Sequence, residues 1–85
     1  MAAARVILPA CLGRLLRSEM ERCIEEANLG TVDTMVAKRY FIDKWPQIEI
    51  AAELGWNRWT VYDHLKLIKK QIENAAERLG LINPT

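Results

Sequence analysis

One glycine set between two apolar-periodic runs restricts the folds open to this chain more than any other feature. The stretch from Gln47 to Ile68 reads QIEIAAELGWNRWTVYDHLKLI. Before Gly55, the run containing Ile48 puts Ile50, Ala51 and Leu54 on one helical face. After it, Val61, Leu65 and Ile68 recur at i, i+4 and i+7. Glycine takes a left-handed conformation at low steric cost, so a helix can end at Gly55 inside a very tight turn. Asn57 is a favoured N-cap for the helix that follows. Two helices joined this closely, at a steep angle, make a helix-turn-helix.

The chain upstream supplies two more helices. Leu8, Leu12, Leu15 or Leu16, Met20, Cys23, Ile24 and Ala27 keep near-helical spacing, which predicts a helix over about residues 14–28. Pro9 and Gly13 leave its upstream extension open. In the next few residues Gly30 suits a C-cap, and Thr31 or Asp33 suits the following N-cap. A second helix is expected from about Val32 to Lys44, with Met35, Val36, Tyr40 and, less regularly, Phe41 and Ile42 facing inward. Pro46 ends it before Trp45, because a residue preceding proline is pushed out of the α region. The same proline is tolerated in the first turn of the third helix.

The last helix is the longest, from about Arg58 to Leu79. Val61, Leu65, Ile68, Ile72, Ala75 and Leu79 step 4, 3, 4, 3 and 4, an unbroken heptad seam. Gly80 ends the helix and Pro84 prevents its continuation. Two packings compete for the seam: against the first helix of the same chain, or, beyond Ile68, against a second copy as a homodimer. The expected fold is all-α, a small domain of about four helices containing a helix-turn-helix and a long C-terminal helix. Residues 20–85 form that domain, and residues 1–19 an N-terminal arm or helix extension.

Composition narrows the function classes. Eighty-five residues suffice for one small domain, and an apolar fraction of 51% favours a folded core over disorder. The net charge of +1 is no basic signature, so any affinity for nucleic acid must rest on how charge is distributed. That distribution is uneven. Residues 19–34 carry −4, whereas 57–70 carry +3 from Arg58, Lys66, Lys69 and Lys70 against Asp63. The apolar run from Val6 to Leu12 is broken by Pro9, too short for a membrane span and poorly flanked for a signal peptide. Cys11 and Cys23 are twelve residues apart, about 120° around a helix, and do not share a face. They read as two reduced thiols, which suits a cytoplasmic setting. His64 is the one histidine and no Cys/His cluster exists, so neither a zinc site nor any other cofactor is expected. His64 reads as a partly packed imidazole. With no glycine-rich phosphate loop, nucleophile elbow or metal-ligand set, the sequence argues against an enzyme.

The Gln47–Ile68 stretch resembles the helix-turn-helix of bacterial and phage transcription regulators, especially that of the C-terminal DNA-binding region of sigma factors. Gln47 opens the first helix, Ile50 and Ala51 fill its middle, Gly55 makes the turn, and Val61 and Leu65 lock the second helix. The motif covers about a quarter of the chain. The resemblance implies a cytoplasmic protein whose partner is double-stranded DNA, with a contact to RNA polymerase as a further implication, and no membrane. It places the N-terminal part of the second helix in the major groove while the first crosses the backbone.

With Val61 and Leu65 inward, Asn57, Arg58, Trp59, Thr60, Tyr62, Asp63 and Lys66 become the DNA-facing candidates, with Gln47 at the phosphate backbone. Arg58 suits guanine O6/N7 or a phosphate, Thr60 a phosphate or a thymine methyl, and Lys66 a phosphate. The chain departs from the family at Trp59, a slot usually small and polar, and at Asp63, often arginine. Trp59 then either wedges against sugars or thymine methyls, or packs on Trp56. Asp63 either accepts from cytosine N4 or bridges to Arg58 or Lys66 along the helix. The leading reading is a small sequence-selective regulator. The alternative is a phage assembly, DNA-packaging or protein-interaction module that uses the same helices to oligomerise.

Overall fold

The computed structural model describes residues 10–82, excluding the side chains of Ala10 and Cys11. Leu8, Pro9 and Pro84, the Cys11 thiol, and the outer parts of the 1–19 and 20–85 segments lie outside the described residues. Four packed helices follow a single helical turn, with no strand among the described residues. The turn is α1 (Ala10–Gly13), and the helices are α2 (Arg17–Ala27), α3 (Thr31–Ala37), α4 (Gln47–Leu54) and α5 (Arg58–Arg78).

The first long helix starts later than its periodicity suggested. Gly13 closes α1, and Leu16 adopts an extended backbone before α2 begins at Arg17. Leucine has no side-chain acceptor, so Glu19 supplies the cap: its carboxylate accepts the Leu16 N–H at 2.8 Å. Leu12, in α1, is buried in the core, and the boundary at residue 19/20 falls inside α2. Met20, Cys23 and Ile24 form the buried face of α2.

The connection to α3 uses different residues from those expected. Asn28, not Gly30, takes the left-handed C-cap position, with φ of 53°. Asparagine tolerates that conformation better than other side chains. Gly30 instead stands at the N-cap of α3 with φ of 90°, and neither Thr31 nor Asp33 caps the helix through its side chain. Its carbonyl accepts the Thr34 N–H at 2.8 Å.

The second helix changes pitch before it stops. After Ala37 the backbone continues as a π-helical turn, Lys38–Ile42, closed by Asp43 N–H donating to the Lys38 carbonyl at 3.0 Å. The wider turn brings both Tyr40 and Phe41 into the core, where their rings meet edge to face at 5.2 Å. This is the physical source of the irregular apolar spacing at Phe41 and Ile42. The helix ends at Ile42, two residues before the expected Lys44, which is left-handed at φ 61° and donates from Nζ to the Phe41 carbonyl at 2.8 Å. Pro46 then sits just ahead of α4 as its N-cap, not in the first turn.

At the tight turn the structure follows the sequence. Gly55 is left-handed at φ 68°, and Trp56 N–H closes back on the Ala51 carbonyl at 2.8 Å. Asn57 caps α5, its side-chain oxygen accepting the Trp59 N–H at 2.7 Å. Val61, Leu65, Ile68, Ile72 and Ala75 are buried, as is Ala76, against α2, α3 and α4 of the same chain. The seam is therefore filled within the monomer. Arg78 pins the far end of α5 to α2 through Glu26 at 3.2 Å.

Ile72 is fully buried, so Ile72→Ala should destabilise the fold by about 2–5 kcal/mol in denaturant melts, as deletion of a buried branched side chain does. Cys23 gives a pH prediction. Burial pushes its thiol above the ordinary 9.0, with Glu19 adding to the rise and Arg22 opposing it. The folded state therefore holds this proton to higher pH than the unfolded chain. The resulting contribution is complete below pH 9 and is lost as pH rises through the elevated value. Stability of Cys23→Ala should accordingly fall less steeply above pH 9 than that of the parent, measured by thermal melts across pH.

Candidate nucleic-acid interface

Two side-chain clusters fix how the helix-turn-helix sits on the rest of the domain. At the turn, the half-buried Trp56 stacks in a tilted arrangement on His64, ring centroids 4.6 Å apart. His64 Nδ1 lies 2.8 Å from Asp33 Oδ1, and with a proton on that nitrogen the imidazole donates to the carboxylate. The turn, the second turn of α5 and the start of α3 are thus tied together. His64 is a partly packed imidazole that is hydrogen-bonded as well.

The other cluster holds α4. Arg39, in the π-helical turn, donates from Nε to Glu53 at 3.1 Å and from Nη1 to Asp43 at 3.1 Å. Its guanidinium also lies 4.7 Å from the centroid of the Trp45 ring. The hydrogen bonds to Glu53 and Asp43 raise the pKa of Arg39 above the usual arginine value. Glu53 belongs to α4, so the pitch change in the preceding segment and the orientation of α4 share one cation.

Burying the seam decides what α5 presents outward. Successive helical residues turn by about 100°, so Trp59, Asp63, Lys66 and Lys70 form the stripe opposite Val61, Leu65 and Ile68. Tyr62 flanks that stripe on one side, Thr60 and Leu67 on the other. Arg58, Trp59, Thr60, Tyr62, Asp63 and Lys66 are all exposed. Gln47 is half-buried at the opposite end of α4 from the turn, about 10 Å along that helix. Asn57 is exposed beside Arg58, but its side-chain oxygen is committed to the cap. What it can offer a ligand is its amide NH₂.

The intramolecular alternatives for Trp59 and Asp63 are not the ones formed. Trp56 pairs with His64, whereas Trp59 remains 64% exposed and meets Tyr62 edge to face at 6.2 Å. Arg58 lies over the Trp59 ring at 5.5 Å and Lys66 over the Tyr62 ring at 5.6 Å, so neither cation bridges to Asp63. Among the described residues Arg58, Lys66 and Lys70 are held in no ion pair. The stripe turns away from α2, whose Glu21 and Glu26 are engaged by Arg17 and Arg78.

This surface can grip anions and present flat rings. Among the described residues no group of three His, Cys, Asp or Glu side chains is placed to hold a metal ion, and no helix is long and apolar enough to cross a membrane. Sequence reasoning missed Leu67 and Ile48, 69% and 59% exposed. Leu67 had a signal, since it lies a helical step away from Ile68 in the seam. The Asp33–His64 bond had none, because the two residues are 31 positions apart.

The chain matches no protein-family model, and no curated protein or solved structure is detectably similar to it.

Removing the imidazole should loosen the turn selectively. His64→Ala loses one hydrogen bond and one ring contact, about 1–2 kcal/mol together. In hydrogen-exchange NMR the amides of Trp56 and Trp59 should then exchange faster, relative to those around Ile72, than in the parent.

Proposed function

We propose that this protein binds double-stranded DNA as a small transcriptional regulator, with the N-terminal half of α5 in the major groove. The observation that carries this reading is the outward stripe of α5. Its cations are free of carboxylate partners among the described residues, and it begins at a capped turn braced from α3 and from the π-helical turn. A helix with side chains is about 10–12 Å across, and the major groove is about 12 Å wide.

Each exposed residue then has a role that its chemistry allows. Arg58 reaches a guanine edge or a phosphate, Thr60 a phosphate or a thymine methyl, and Lys66 and Lys70 the phosphates further along. Asp63 accepts from cytosine N4, which gives a carboxylate on this face a use that phosphate contact would not. Gln47, with the free N–H groups that open α4, meets the backbone on the other side of the turn. Such work is cytoplasmic in a cell without a nucleus, and a regulator of this kind has RNA polymerase as a natural second partner.

A second reading has its own support. Exposed Ile48, Trp59 and Leu67 also suit an assembly, DNA-packaging or protein-interaction module. Since the heptad seam is already filled by the chain's own helices, a homodimer would have to form through other residues of α5, such as Leu67.

Fluorescence anisotropy on random-sequence duplex at several salt concentrations, followed by selection of bound sequences, distinguishes the two. A DNA reader loses affinity steeply as salt rises and enriches one sequence. Arg58→Ala should then cost about 1–3 kcal/mol on the selected site. No binding at low salt by folded protein would overturn the regulator and favour the interaction module.

A further inference from the structure

The outward stripe of α5 is built differently from a surface that only neutralises phosphates. Its most prominent side chain is an indole, 64% exposed, at the first turn of the helix and opposite the buried seam. Trp59 and Tyr62 stand at an interplanar angle of 83°, so they meet edge to face and do not cover each other by stacking. Arg58 approaches one ring and Lys66 the other, and Lys70 adds a third cation against the single carboxylate of the stripe, Asp63. Exposed aromatic rings interleaved with cations that no carboxylate holds are the combination that takes an unstacked base and the phosphates beside it.

An intact duplex offers its groove base edges, not base faces. An indole has one N–H donor with which to read an edge, and its large flat surface finds no stacking partner there. A base displaced from the helix supplies that partner. Duplex around the displaced base still supplies the phosphates that Arg58, Lys66 and Lys70 can grip.

We propose that this face of α5 takes duplex DNA interrupted by an unpaired base, with Trp59 as the stacking platform and Tyr62 as the ring that holds the indole upright. The proposal rests on the DNA-binding reading and narrows its ligand. A protein partner is the less favoured occupant, because Lys66 and Lys70 line the stripe and lysine is depleted in protein-binding patches.

The test measures anisotropy of the full chain with three labelled probes: an intact duplex, the same duplex carrying one bulged adenine, and the corresponding single strand. The expected order places the bulged duplex tightest. Trp59→Ala should weaken its binding by about 5- to 150-fold, the range that loss of one base–aromatic stack produces. That variant should also abolish the preference over the intact duplex, whereas Trp59→Phe, which keeps a π-face, should retain most of it. Circular dichroism checks that both variants fold. Equal binding of intact and bulged duplex would overturn this proposal and leave the duplex-binding reading standing. Tighter binding of the single strand would also overturn it. No binding to any probe, together with self-association that Trp59→Ala abolishes, would overturn both and assign the face to a protein contact.

Discussion

Burial of one face of α5 is the interaction on which the rest of this structure depends. Val61, Leu65, Ile68, Ile72, Ala75 and Ala76 all lie in the core, and the helix touches α2, α3 and α4. A domain of this size has little apolar surface to spare, so the longest helix must serve as the common wall for the others. Once that face is buried, the rotation of α5 about its own axis is fixed. The residues that reach solvent at its N-terminal half follow from the same choice. Core packing and the outward stripe are therefore one decision made by one seam.

The turn converts that rotation into a direction. Gly55 reverses the chain at a positive φ, Trp56 closes the end of α4, and Asn57 opens α5, all within three residues. Backbone closure alone would still leave α4 free to rock. The Arg39 contacts to Glu53, Asp43 and Trp45 hold it from one side, and the Asp33–His64–Trp56 contacts hold the turn from the other. Both braces start on the segment that runs from α3 into the π-helical turn. That segment acts as a frame for the helix pair, and its change of pitch is part of how it reaches both places.

Features carried by local chemistry could be read directly from the sequence. The all-α class, the long last helix, the seam, the left-handed Gly55 and the Asn57 cap all depend on neighbours within about one helical turn. The outward set Arg58, Trp59, Thr60, Tyr62, Asp63 and Lys66 followed from the seam by helical geometry. Features that depend on competition between alternatives were harder to read. Asn28 and Gly30 both tolerate positive φ, and composition does not say which ends α2 and which begins α3. A π-helical turn leaves only a drift in apolar spacing, visible at Phe41 and Ile42, and a fraying helix end would leave the same drift. Long-range polar pairs such as Asp33–His64 and Arg39–Glu53 leave no periodic trace.

If the outward face of α5 is the surface that meets DNA, contact with duplex must change the surroundings of that face first. Titrating isotopically labelled protein with duplex DNA, while following backbone amide shifts by NMR, tests this most directly. The largest shifts are expected from Asn57 to Lys66, with a smaller set at the start of α4 around Gln47 and little change along α2 between Glu21 and Ala27. Shifts centred on α2, or none under low-salt conditions with the protein folded, would contradict a DNA-binding role for α5.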